Sequence, residues 1–162
     1  MEALLFTAGG GPYLAPLSDL DEVLMPARLR PLAQAPVFLA GVLDLRGATL
    51  PVLDLAERLG RAGPAPAASQ GPAGRRWQRG NRILCFSAAG VSLGAIVESV
   101  TGIRTLSADA RREPVLTAAG APAFLGDLWP VDGRLTQELR LSCLLEPAEL
   151  ALLQGTAVDR LA

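Results

Sequence analysis

The sequence contains no histidine, and every one of its fifteen basic residues is arginine rather than lysine. Without histidine the chain lacks the residue that phosphotransfer domains phosphorylate and that most acid–base sites use near neutral pH. Without lysine, a basic side chain at an interface here is always a planar, five-donor fork suited to two-pronged pairing. Sixteen acidic residues leave a formal charge of −1, so the whole molecule has no positive field of the kind nucleic acid or an anionic membrane attracts. Cysteine is scarce too. Cys85 and Cys143 stand far apart in apolar surroundings and form neither a metal motif nor a redox motif; buried reduced thiols are the expectation. No apolar run is long enough to span a bilayer, and Met1 to Ala8 has no basic region and no cleavage-like site. A cytoplasmic protein with protein partners is therefore expected, with no cofactor, no metal site and no activated nucleophile.

What is present is apolar and finely punctuated. Half of the 162 residues are hydrophobic and 19% are charged, enough to bury a core. Short runs of Val, Leu, Ile and Phe end repeatedly in Gly, Pro or Asp, the pattern of small antiparallel barrels. Strands are expected near Ala3 to Thr7, Tyr13 to Pro16, Leu20 to Met25, Gly41 to Leu45 and Thr49 to Leu53, with a helical turn at Leu55 to Leu59. From Gly60 to Asn81 the composition shifts to Gly, Pro, Ala, Ser and Arg, which reads as a linker or long loop. Strands resume at Ile83 to Ser87, Val91 to Glu98, Thr101 to Leu106, Phe124 to Trp129 and Leu139 to Leu145. The two halves are similar in kind, with no visible sequence repeat. Pro147 suits a first helical position, and Leu150, Leu153, Ala157 and Leu161 share one helical face, so an amphipathic helix is expected from Pro147 to Leu161.

The most informative stretch is Gly41-Val42-Leu43-Asp44-Leu45-Arg46-Gly47 followed by Pro51-Val52-Leu53-Asp54-Leu55. Apolar residues alternate along two strands while charge collects at a turn read as Arg46-Gly47-Ala48. By local physics alone this is a hairpin with a solvated tip. The run resembles the hairpin of the CheW-like domain family, G-V-[IL]-[ND]-L-R-G, three residues, then P-[VI]-[VIL]-D-L, and meets its fixed positions. Phe6-Thr7, Tyr13, Glu22-Val23 and Pro36-Val37-Phe38-Leu39 continue the resemblance upstream in order and at similar spacing. Beyond the linker, Gly94-Ala95-Ile96-Val97-Glu98-Ser99-Val100 resembles the family's G-x-[VI]-V-D-x-V with Glu98 for Asp, and Leu144-Leu145-Glu146 its L-L-D segment. Phe124-Leu125-Gly126-Asp127-Leu128 departs from the usual Y-L-x-G-[LIV] strand.

The resemblance implies a mainly β fold of two intertwined SH3-like five-stranded β-barrels with a C-terminal helix. It also implies a single domain over 1–162, with one lobe at about 1–60 plus the C-terminal segment and the other at about 82–146. The implied function is that of a chemosensory adaptor without enzymatic activity, its partners the cytoplasmic tip of a methyl-accepting chemoreceptor and the regulatory domain of a CheA-type histidine kinase. Contact with a membrane is then only indirect, through the receptor. Carried over position by position, the interaction residues are Arg46, Asp44 and Gly47 of the hairpin and Glu22, Val23 and Leu24 beside a groove between the lobes.

Two rival readings come from different classes. One is a divergent family member that binds a receptor or another partner without kinase coupling, which the departures after the linker allow. The other is a small-barrel nucleic-acid module using Arg75, Arg76, Arg79 and Arg82 around Trp77, for which the rest of the chain supplies no second basic face. Asp44 and Asp54 suggest a carboxylate pair, but no nucleophile or ligand accompanies them. Gly9-Gly10-Gly11 lacks the Lys, Ser or Thr and the helix of a phosphate cradle, so a hairpin loop is expected there.

Overall fold

The computed structural model describes residues 1–60, 78–114 and 121–161, with side chains in the last helix as far as Gln154. Among the described residues the strands are β1 (Glu2–Ala8), β2 (Gly11–Pro16), β3 (Glu22–Leu24), β4 (Leu39–Leu45), β5 (Ala48–Asp54), β6 (Arg82–Ala88), β7 (Val91–Val97), β8 (Ser99–Thr105), β9 (Leu125–Val131) and β10 (Arg134–Leu139). Two helices, α1 (Leu55–Arg58) and α2 (Pro147–Leu161), follow β5 and end the chain.

The strands form two five-stranded sheets, ordered β8-β1-β2-β10-β9 and β3-β6-β7-β5-β4. Each sheet closes on itself. The chain leaving β3 returns to the far edge strand β4 through an antiparallel bridge between Arg30 and Val42, and the chain leaving β8 reaches β9 through Arg112 and Leu128. A bridge of this kind ties the two outer strands' chains together at one place and shortens the open edge of the sheet. We call the first sheet barrel A and the second barrel B.

Hairpin turns set the register. Gly9-Gly10, Arg46-Gly47, Ala89-Gly90 and Asp132-Gly133 all have positive φ at both residues, between 48° and 82°. Pairing of Ala8 with Gly11, Leu45 with Ala48, Ala88 with Val91 and Val131 with Arg134 makes each a two-residue loop. This is the twist-matched turn that β-hairpins favour, with glycine at the second central position of all four. The turn expected at Arg46-Gly47-Ala48 is thus one residue shorter, because Ala48 already pairs.

The strands read as continuous apolar runs because most are buried on both faces. Along β1, Ala3 and Leu5 pack with Leu14 and Trp129 inside barrel A, while Leu4, Phe6 and Ala8 face the other way. Along β6, Ile83 and Cys85 fill barrel B with Leu43, Leu50 and Val52, while Leu84, Phe86 and Ala88 face out of it. The outward residues of both barrels meet in one shared core, joined by Leu141, Leu144, Leu145, Leu150 and Leu153. The period-two alternation of strand side chains therefore sorts between two apolar cores rather than between core and water.

The distribution of strands corrects the expected lobes. Barrel B runs without interruption from β3 to β7, and barrel A takes β1 and β2 from before it and β8 to β10 from after it. Residues 1–60 and 82–146 are therefore not separate lobes: hairpin β1–β2 pairs forward with β8 and β10, and hairpin β6–β7 pairs back with β3 and β5. The tenth strand is corrected as well. It runs Arg134–Leu139, and the apolar run after it forms a 3-10 turn at Leu141–Cys143, because the Asp132-Gly133 turn fixes where the strand starts.

A repeat is present after all. Ala35-Pro36-Val37-Phe38-Leu39 and Ala121-Pro122-Ala123-Phe124-Leu125 enter β4 and β9, and both make the same hydrogen bonds. Leu39 N–H donates to Pro36 O at 3.0 Å and Leu125 N–H to Pro122 O at 3.1 Å; Asp54 N–H and Arg140 N–H donate to Phe38 O and Phe124 O, each at 2.8 Å. At the same offset along the chain, Arg46 corresponds to Asp132 and Val42 to Leu128. The other hairpins match likewise, β1–β2 with β6–β7, which makes Val23 on β3 the counterpart of Ile103 on β8.

Candidate protein-interaction site

The β4–β5 hairpin is anchored by Leu43, Leu50 and Val52 inside barrel B, which leaves its tip in solvent. Arg46 is held there at φ 51°, a conformation that non-glycine residues seldom adopt. Its guanidinium donates from Nη1 to Glu22 Oε1 at 2.9 Å and from Nη2 to Glu22 Oε2 at 2.8 Å. Glu22 lies on β3 at the opposite end of the sheet order, so the fork ties the two sides of the barrel seam together. The hydrogen bonds to Glu22, and then its charge, raise the Arg46 pKa above its ordinary value. Arg46 nevertheless leaves 73% of its side chain exposed, against 30% for Glu22. The unoccupied faces of the fork point outward.

A second ion pair braces the same hairpin: Arg30 Nη2 donates to Asp44 Oδ2, both side chains being exposed. Arg30 is also the residue whose backbone bridges to Val42, so side chain and main chain close the barrel at one place. Sequence reasoning singled out Asp44 but missed Arg30. The signal was the charge of Pro26-Ala27-Arg28-Leu29-Arg30, which is unreadable without knowing that this segment returns to β4. Gly47, at φ 82°, has no heavy atom near where a Cβ would stand. Its contribution is therefore the turn conformation and not close approach.

Val23 and Leu24 point to opposite sides of β3. Leu24 packs against the interior of barrel B, whereas Val23 is 42% exposed. Met25 and Val37 are exposed apolar residues of the same stretch of chain. Beneath β3, Cys85 lies directly opposite Glu22 in the β6 register. Burial, followed by the charges of Glu22 and Asp21, pushes its thiol up to about 11, so it stays protonated and inert at neutral pH.

Barrel A carries an ion pair of reversed polarity at its own turn, displaced by two residues along the edge strand, since Arg104 corresponds to Leu24 and Glu22 to Gly102. Its turn residue Asp132 pairs with Arg104 on edge strand β8, Nη2 to Oδ2 at 3.7 Å, and the neighbouring Ile103 is 52% exposed, as Val23 is on β3. The other sequence candidates do not come together. Asp44 and Asp54 sit at opposite ends of the hairpin, and Asp54 caps α1 by accepting from Glu57 N–H at 3.3 Å. Gly10 N–H donates to the Glu98 carboxylate at 2.9 Å, so the glycine turn already holds an anion of the protein's own. Arg82 Nη1 donates to the carbonyls of Arg79 and Asn81, while Arg75, Arg76 and Trp77 lie outside the described residues. Among the described residues no group of three acidic or cysteine side chains is placed to hold a metal, and no helix is long and apolar enough to cross a membrane.

Comparison with known proteins agrees with this architecture. A family model described as CheW-like domain matches residues 2–149. "Chemotaxis protein CheW" of Klebsiella aerogenes is 23% identical over 157 residues, covering 96% of this chain and 88% of that protein. "Protein PilI" of Pseudomonas aeruginosa is 31% identical over 123 residues, covering 75% of this chain and 63% of that protein. The crystal structure of scaffolding protein TtCheW from Thermoanaerobacter tengcongensis superposes with a TM-score of 0.74 at 22% identity, covering 90% of this chain and 87% of that one.

Proposed function

The chain belongs to the CheW-like domain family, and from that premise we propose that it is a chemosensory scaffold, coupling the cytoplasmic tip of a chemoreceptor to a CheA-type histidine kinase without catalysing a reaction. The observation that carries the proposal is the Arg46–Glu22 fork, exposed at a barrel seam beside Val23. A fork held at fixed position, with free donors and an apolar neighbour, suits recognition of a helix that presents an apolar face edged by carboxylate or carbonyl oxygen.

Mechanically, such a scaffold works through fixed geometry. The two barrels share one core, so a partner bound to barrel A and another bound to barrel B are held at a set separation and angle. A change in the receptor is then transmitted to the kinase as a change in contact, with no group transfer by the scaffold. Support for a two-partner role comes from the pseudo-equivalence of the barrels: each has an exposed apolar residue on its edge strand beside a turn-to-strand ion pair, with the charges reversed.

The test is titration of the purified protein with a receptor signalling tip and, separately, with a kinase regulatory domain, by calorimetry in moderate salt. Both should bind in the micromolar range or tighter, and the ternary mixture should change kinase autophosphorylation. Binding of the receptor alone would support the divergent reading, and binding of neither would remove the scaffold proposal.

A further inference from the structure

The C-terminal helix is held to the rest of the molecule differently from any strand. It belongs to neither sheet, and its described contacts with the barrels centre on two buried leucines, Leu150 and Leu153, and one arginine. Arg58 ends α1, on the barrel B side. Its Nη1 donates to Glu149 Oε2 at 2.9 Å, its Nη2 to Glu149 Oε1 at 2.7 Å and its Nε to Leu144 O at 2.7 Å. Its guanidinium also lies over the Phe38 ring, 5.3 Å from the centroid. Glu149 accepts in addition from Glu146 N–H at 2.8 Å, so one carboxylate both caps the start of α2 and receives the fork. Only 20% and 19% of these two side chains remain exposed.

We infer that α2 is a strap that leaves the barrels as a unit, latched by Arg58 and Glu149, while both barrels stay folded. The strand ladders of both sheets are complete without it, since β10 ends at Leu139 and the sheet hydrogen bonds involve no residue of α2. Arg58 is the positioning residue. Removing either partner leaves the other as a partly buried, unpaired charge, which favours the open form more than loss of an exposed ion pair would. Opening withdraws Leu150 and Leu153 from the shared core and uncovers Leu144 and Leu145 between the barrels. Once detached, a helix of this length is marginal in water and frays.

Native-state hydrogen exchange on the full chain tests this. In the wild type, amides of Leu150 to Gln154 should exchange through an opening with weak denaturant dependence, while those of β1 and β6 exchange through a steep, global one. Arg58→Met and Glu149→Gln should each speed the helix amides about 10- to 100-fold, the range expected for losing hydrogen bonds to a charged group, and speed the globally exchanging strand amides by a similar factor, because the latch is broken in the open form and in the unfolded chain alike. The double variant should be no faster than the quicker single one, because both remove the same latch. Arg58→Lys, which keeps the charge and loses the fork, should fall between. The inference is overturned if α2 shares the strands' denaturant dependence in the wild type, if Arg58→Met and Glu149→Gln speed the strands but leave the helix amides unchanged, or if Arg58→Lys matches the wild type. Should Arg58→Met fail to fold, the wild-type denaturant dependence still decides.

Discussion

Asp132 occupies in barrel A the position that Arg46 occupies in barrel B: each is the first residue of a two-residue turn, at φ 48° and 51°, and each pairs with an opposite charge on its barrel's edge strand. The polarity of the ion pair is reversed between the barrels, with arginine at the turn of barrel B and aspartate at the turn of barrel A. Such a reversal places different charges at equivalent turns of a pseudo-symmetric molecule.

Exchanging the charges within one clamp separates bracing from recognition. Arg46→Glu alone sets two carboxylates together across the seam and should weaken a barrel B partner about tenfold or more while unfolding stays a single cooperative transition. Adding Glu22→Arg rebuilds the ion pair with reversed polarity. If the clamp only braces the barrel, partner affinity returns in the double variant. The scaffold proposal expects it to stay low, because the outward fork now stands on β3, and calorimetric titration of both variants distinguishes the two.

The pH dependence has a defined sign at Cys85. Its folded pKa is raised to about 11, above the ordinary thiol value of 9.0, chiefly by burial. Between these values the folded chain keeps a proton that the unfolded chain has lost, so this contribution is present below pH 9 and lost as pH rises toward 11. Urea denaturation between pH 8 and pH 11 should show stability falling, and Cys85→Ala should remove the part of that slope due to this thiol. At pH 8 a thiol reagent should modify the half-exposed Cys143 well before Cys85.

The hairpin and its turn glycine were legible in the sequence because they are local. Alternating apolar residues and Arg46-Gly47 need no knowledge of distant chain. Glu22 and Arg46 could be named separately as family-like positions, yet their pairing depends on β3 lying across the seam from the β4–β5 turn, which is a property of barrel closure. The exchange of hairpins between barrels was illegible for a different reason. Leu4, Phe6, Leu84 and Phe86 are equally apolar whichever partner they face, so hydrophobic pattern alone does not choose between β1–β2 pairing with β3 or with β8. Asp132-Gly133 is a readable turn signal for the hairpin over Asp132 to Leu141, and as a two-residue turn it places β10 at Arg134 rather than at Leu139. The repeated Ala-Pro-x-Phe-Leu was readable too, though too short to stand out before both copies were seen entering equivalent strands.

Two glycines of the same hairpin should respond differently to a methyl group. At Gly47 a Cβ meets nothing within 4 Å, so Gly47→Ala carries only the cost of a positive φ, about 1 kcal/mol. At Gly41, φ 153°, the Cβ would stand 2.8 Å from Arg30 O and 3.1 Å from Leu29 Cβ. That carbonyl accepts from Val42 N–H in the bridge closing barrel B, so it cannot retreat without opening the seam. Gly41→Ala should therefore cost about 2 kcal/mol or more beyond Gly47→Ala, read as a lower urea midpoint at unchanged slope.

The shared core makes a final prediction about cooperativity. Phe86 is almost wholly buried and faces the space between the barrels, whereas its neighbour Cys85 faces the inside of barrel B alone. Phe86→Ala opens a cavity at the junction and should cost about 3–5 kcal/mol. Because residues of both barrels line that junction, fluorescence of Trp129 in barrel A should report the same urea midpoint as far-ultraviolet circular dichroism, although the substitution lies in barrel B. A Trp129 midpoint that stayed at the wild-type value while the dichroism shifted would mean that the barrels unfold independently. The fixed spacing on which a two-partner scaffold depends would then have to come from somewhere other than their common core.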